Sequence, residues 1–160
     1  MKQLRYFALM FVVTLSGLLQ AQSPPKKGPT PVSDREKLIG AWHLVSLENQ
    51  DPDGKADKIE CCGMFVFTRD GHMSVQVMRP EPPKQTPAAF DQYSRGGYEA
   101  TFGSYQINER AHTFTIHIEG ALARPLIGKD LPRAYEFSGQ QLIVKSTNPD
   151  DHWRVVWEHY

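Results

Sequence analysis

The side chains with chemistry to offer sit mostly in the second half of the chain, spaced two residues apart. His117 and Glu119 close a run from His112 to Glu119, Arg133 and Tyr135 lie in the run Arg133 to Phe137, and Tyr105 lies in the run Tyr98 to Ile107. In an extended strand, residues two apart share a face. An imidazole and a carboxylate side by side in a low-dielectric cavity could exchange a proton or grip a polar ligand. The opposite arrangement, with Phe114, Ile116 and Ile118 inward and His117 and Glu119 in water, is the ordinary one for a half-buried strand. Spacing alone does not choose between them. Arg133, if buried, would need a carboxylate, for which Glu119 is the candidate; the rim, in solvent, is the commoner place for an arginine. Met73, Val75 and Val77 form an apolar stripe that could touch a ligand or simply fill a core.

Other chemistries find no residues. The chain has no Gly-x-Ser-x-Gly, no phosphate-cradling glycine loop, no dinucleotide fingerprint and no His-Glu-x-x-His. The histidines at 43, 72, 112, 117, 152 and 159 show no ligand spacing, so neither a metal nor a cofactor is expected.

The elements that must position these residues read as all-β. From Gly40 onward, eight β-branched and aromatic runs alternate with turn residues: Gly40 to Glu48, Met64 to Thr68, His72 to Arg79, Tyr98 to Ile107, His112 to Glu119, Arg133 to Phe137, Gln141 to Ser146 and Trp153 to His159. Arg69-Asp70-Gly71, Asn108 to Ala111, Ser138-Gly139-Gln140 and Thr147 to Asp151 are short hairpin turns, so neighbouring runs should pair. Eight strands joined this way predict an antiparallel up-and-down barrel that closes on itself and has room for one small ligand. A two-sheet sandwich, the alternative, would need longer crossovers.

Three connections are longer. Asn49 to Gly63 reads as an ordered loop. Pro80 to Gly97 offers Thr86 as N-cap, Pro87 at the first helical position and Gly96-Gly97 as a stop, which predicts one short helix over Ala88 to Arg95, between the third and fourth strands. Gly120 to Pro132 is unusually apolar and would serve as a flap over a cavity mouth or as cover for the barrel's outer wall. Ser33 and Glu36 have capping-box spacing, predicting a helical turn from Asp34 to Ile39 that could plug one barrel end.

The N-terminus places Lys2 and Arg5 before an uncharged, largely apolar run to Leu19, with Ala21 at the expected cut. That run suits a secretory signal over residues 1–21 and is too short to span a bilayer. Residues 22–37 follow as a Pro-rich disordered tether, and the barrel domain occupies 38–160. The expected compartment is periplasmic or extracellular. Of 18 basic and 18 acidic side chains, cleavage removes two basic ones and leaves a charge near −2. A nearly neutral domain without a basic stripe disfavours nucleic acid and membrane surfaces as partners. Cys61 and Cys62 are adjacent and unsuited to an ordinary mutual disulfide; burial as thiols is the favoured expectation, an inter-chain link the alternative.

Gly40-Ala41-Trp42 on the first strand and an arginine, Arg154, on the last resemble the lipocalin and calycin arrangement. There the arginine packs over the tryptophan and closes one barrel end, so the resemblance gives Gly40, Trp42 and Arg154 that role. Leu38 to Ser46, Thr68 to Pro80 and Ile116 to Gly120 are similar to the bacterial lipocalin-like domain family over about residues 38 to 158. The resemblance implies a calycin-type barrel with a cavity for a small apolar or amphipathic molecule, without implying a reaction. The residues expected to contact it are Met73, Val75, Val77, Tyr105, His117, Glu119, Arg133 and Tyr135. The rival functions are an isomerase or cyclase using His117 and Glu119 as acid and base, and a filled barrel that acts through its outer surface.

Overall fold

The computed structural model describes residues 32–50, 56–80 and 97–160. The expected signal sequence, most of the expected tether and the helix expected over Ala88 to Arg95 lie outside the described residues.

Helix α1 (Asp34–Leu38) precedes β1 (Gly40–Gln50), β2 (Ala56–Ile59), β3 (Cys62–Phe67), β4 (His72–Met78), β5 (Tyr98–Asn108), β6 (Thr113–Ala121), β7 (Asp130–Ser138), β8 (Gln141–Ser146) and β9 (Trp153–His159). Both β2 and β3 pair with β1, the first against Leu47 to Gln50 and the second against Gly40 to His43. They are two halves of one strand, broken at Glu60 and Cys61. Pairing of β1 with β9 then closes an eight-stranded antiparallel barrel in which each strand neighbours the next. The tight turns produce this order, because a hairpin of a few residues leaves the chain no path except back alongside itself.

Among its described residues, the expected loop over Asn49 to Gly63 is therefore mostly strand. Cys61 lies in the break and Cys62 opens β3, which leaves Cys61 half-buried and Cys62 exposed, so burial holds for neither thiol in full. Burial raises the Cys61 thiol pKa, against a smaller opposing pull from Arg79. The connection after β6 is also shorter than expected, a 3-10 turn over Arg124–Leu126. Leu126 packs on the core, while Leu122 and Ile127 lie beside Phe102 in a groove on the outer wall.

One end of the barrel is stoppered. Ser33 caps α1 by accepting the Glu36 amide, and the helix turns Leu38, fully buried, into the barrel end. Trp42 donates its indole N–H to the Leu38 carbonyl at 2.8 Å, and the Tyr135 phenol donates to Asp34 Oδ2 at 3.0 Å. Arg69 reaches Glu36 at 2.7 Å, tying the stopper to the β3–β4 turn. The chain from Asp34 is thus helical rather than part of a disordered tether. Behind it Phe67, Tyr105 and Phe114 pack edge to face, with centroids 5.1 to 5.5 Å apart. Burying each such ring contributes about 1.5–3 kcal/mol.

Barrel closure at this end uses a different residue from the one expected. On β9 the odd-numbered residues face in, so Arg154 faces out and meets Glu48, its cross-strand partner, at 3.3 Å. The residue in register with Trp42 is His159, whose ring lies 3.6 Å from the indole, centroid to centroid. Gly40 makes room for it: its φ is +136°, and a Cβ there would stand 2.8 Å from the His159 ring.

Candidate ligand cavity

The opposite half of the barrel is not filled. A cavity of about 220 Å³, partly open to solvent, lies among the inward residues of nearly every strand. Its apolar wall includes Phe65 from β3, Val75 and Val77 from β4, Ile116 and Ile118 from β6, and Trp157 from β9. Its polar residues are Asn49, Arg79, Glu99, Thr101, Arg133 and Trp153.

Strand pleating delivers this set. On β4 the stripe of Met73, Val75 and Val77 faces in and ends at Arg79. On β5, Tyr105 and Gly103 face in, which carries Thr101 and Glu99 inward as well; these two are buried, Glu99 at 7 % exposure. On β7, Leu131, Arg133, Tyr135 and Phe137 face in, and the Arg133 guanidinium lies 5.1 Å from the centre of the Trp153 ring. Arg133 also donates to the Pro132 carbonyl at 2.9 Å. Its desolvation pulls the guanidinium pKa down, and the Glu99 carboxylate, then Asp151, push it back up. Arg133 is thus an inward residue on the same cavity wall as Glu99, neither a solvated rim charge nor a partner of Glu119.

His117 and Glu119 face solvent. The burial of β6 alternates with Phe114, Ile116 and Ile118 inside, and His117 pairs instead with Asp130, its cross-strand neighbour, at 2.8 Å. With its side chain 55 % exposed, His117 cannot act on anything held in the barrel. The apolar trio decides the face over the acid–base pair: three buried aliphatic or aromatic side chains stabilise by several kcal/mol, and burying an ionisable pair costs.

Among the remaining expected contacts, Val75, Val77 and Arg133 line the cavity. Met73, Tyr105 and Tyr135 point inward but belong to the packed, stoppered end. Tyr105 donates to the Thr68 carbonyl at 3.0 Å, and burial pushes its phenol pKa up. Burial also raises the Tyr135 pKa, reinforced by its bond to Asp34. Asn49, Arg79, Glu99, Thr101 and Trp153 were missed, though extending the inward alternation along β4, β5 and β9 would have found all but Asn49. A bulge between Leu44 and Ser46 shifts the parity of β1, so counting alone misplaces Asn49.

The wall also holds an unsatisfied donor. The buried indole N–H of Trp157 has no hydrogen-bond partner among the described residues, a condition that typically costs about 1–3 kcal/mol. No group of three His, Cys, Asp or Glu among the described residues could hold a metal ion.

The architecture agrees with what the sequence is similar to. A family model described as a lipocalin-like domain matches residues 39–158. No curated protein matches significantly. Among solved structures, a redesigned β-barrel aligns at 12 % identity over 79 % of this chain and 94 % of its own, with a TM-score of 0.42. The match of the lipocalin-like model over most of the sequence, on a closed eight-stranded antiparallel barrel, places the chain in its family: it belongs to the lipocalin-like domain proteins.

Proposed function

We propose that the protein binds one small, largely apolar molecule inside the barrel, in an exported setting. The observation that carries the reading is the asymmetry of the interior. One end is packed with aromatic rings beneath α1, whereas the other keeps about 220 Å³ of space walled by aliphatic and aromatic side chains with a few polar groups on it. Apolar walls supply affinity, and a small number of placed polar groups supply orientation. An unfilled apolar space of this size forgoes packing that a filled core would have gained, so an occupant would recover stabilisation by entering it. The basic and then apolar N-terminal run, through Lys2, Arg5 and Leu19, supports export.

Native mass spectrometry of the protein purified from its own host tests the binding reading. The expected spectrum shows a mass above that of the polypeptide, one equivalent per chain, removed by organic extraction. A spectrum of bare polypeptide from that source, together with no saturable uptake of small apolar molecules by the extracted protein, would overturn it. Fractionation with N-terminal sequencing tests export: the expected mature chain begins near Gln22, and a cytoplasmic chain retaining residue 1 would refute it.

A further inference from the structure

The cavity is layered along the barrel axis. Its polar residues, Asn49, Arg79, Glu99, Thr101, Arg133 and Trp153, collect at the open end, where β1 and β4 finish and β5, β7 and β9 begin. Phe65, Ile116 and Trp157 wall the deeper part, towards the stopper. A molecule that fills this space therefore meets polar groups at the mouth and apolar ones below.

The charged groups at the mouth are of both signs and already engaged. Arg79 and Glu99 each have a partner, and Arg133 donates to the Pro132 carbonyl and feels the carboxylates of Glu99 and Asp151. A charged head group of either sign meets its own sign across the mouth and also gives up hydration on entering. Thr101 differs from these residues. It is 5 % exposed, lines the cavity beside its cross-strand partner Val75, and its hydroxyl makes no hydrogen bond among the described residues. Buried hydroxyls are normally bonded, because an unmet one keeps the cost of leaving water. A hydroxyl both donates and accepts, so it can meet an alcohol, a carbonyl or an amide.

We infer that the ligand is a small, uncharged amphipathic molecule whose polar group hydrogen-bonds to the Thr101 hydroxyl at the mouth, with its apolar body among Phe65, Ile116 and Trp157. This rests on the proposed binding function and adds the head group, the residue that reads it and the orientation. A protein cavity of about 150 Å³ holds benzene, so one of about 220 Å³ takes roughly ten non-hydrogen atoms.

Isothermal titration of the full chain with 2-phenylethanol and propylbenzene, which differ by a hydroxyl in place of a methyl, tests the inference. Thr101→Val keeps the branched shape and removes the hydroxyl. It should weaken 2-phenylethanol at least about fivefold, the size of one hydrogen bond, and leave propylbenzene within about twofold. Thr115→Val, on the outer face of β6, should change neither. Where Thr101→Val fails to fold, Thr101→Ala removes the same hydroxyl; its lost methyl weakens both probes alike, so their ratio still reports the bond. Phenylacetate and 2-phenylethylammonium should bind the wild type at least about tenfold more weakly than 2-phenylethanol, because each carries its charge out of water. An unchanged ratio of the first two probes in the variants lacking the hydroxyl would overturn the role of Thr101. Binding of either ion as tight as that of 2-phenylethanol would overturn the uncharged head group. Both results leave the binding function standing, whereas no binding of any of the four probes would overturn that as well.

Discussion

Trp42→Ala, His159→Ala and Arg154→Ala separate two ways of closing the barrel. The Trp42 side chain is 1 % exposed, stacks on His159 and donates to the Leu38 carbonyl, so its truncation removes a buried ring and also strands an acceptor at the stopper. Large aromatic truncations in cores cost about 3–5 kcal/mol, and for a domain of this size that lowers Tm by roughly 10–20 °C. His159→Ala removes one ring contact and should cost about 0.5–1.5 kcal/mol. Arg154→Ala removes a partly exposed ion pair with Glu48 at 3.3 Å, worth about 0–1 kcal/mol. Urea unfolding followed by circular dichroism and by tryptophan emission gives all three values. The order Trp42, then His159, then Arg154 is expected. An Arg154→Ala cost above about 2 kcal/mol, exceeding that of His159→Ala, would refute the assignment of closure to the histidine.

Other perturbations bear on the strands and the stopper. Gly103→Ala would drive a Cβ into the backbone carbonyl of His117, so it should cost more than about 2 kcal/mol, while the three atoms nearest a Cβ in Gly120→Ala all belong to the exposed, movable Phe102 ring, so it should cost less than about 1 kcal/mol; urea midpoints compare them. Asp34 has its pKa lowered from 3.8, first by its hydrogen bond to Lys37 and then by Tyr135. A depressed folded pKa contributes stability above the unfolded value and loses it as pH falls through the folded one. The Tm gap between wild type and Asp34→Asn should therefore be open at neutral pH and narrow below pH 3.8, and a gap that widens on acidification would contradict the ion pairing. His117→Ala is expected to leave stability within about 0.5 kcal/mol and ligand affinity unchanged, as titration of the retained molecule would show.

The barrel was legible in the sequence because its signals are local. Hairpin turns at Arg69-Asp70-Gly71 and Ser138-Gly139-Gln140 fix neighbour pairing, and alternation on each strand fixes faces once one inward residue is known. The stopper followed from the capping spacing of Ser33 and Glu36. The cavity was less legible, since its polar residues come from five separate strands, Arg79 being counted with β4, and only closure brings them together. Spacing set His117 beside Glu119 on one face without choosing which way that face points, and packing turned it outward. The combination that formed, Arg133 with Glu99 and Trp153, joins residues far apart in the chain. The same limit applies to closure: which β9 residue reaches Trp42 depends on register, and register placed His159 there in place of Arg154.

The cavity as binding site is tested most directly by filling it. Val75 projects into the cavity beside Phe65 and Thr101, its cross-strand partners, and Val75→Phe would occupy that space from within. The molecule extracted from the native-source protein is titrated back into wild type and variant, with thermal unfolding of each recorded alongside. One-to-one binding to the wild type and at least about a tenfold loss in Val75→Phe, with Tm kept or raised, is the expected result. Undiminished affinity in a fully folded Val75→Phe would place the ligand elsewhere and contradict the account.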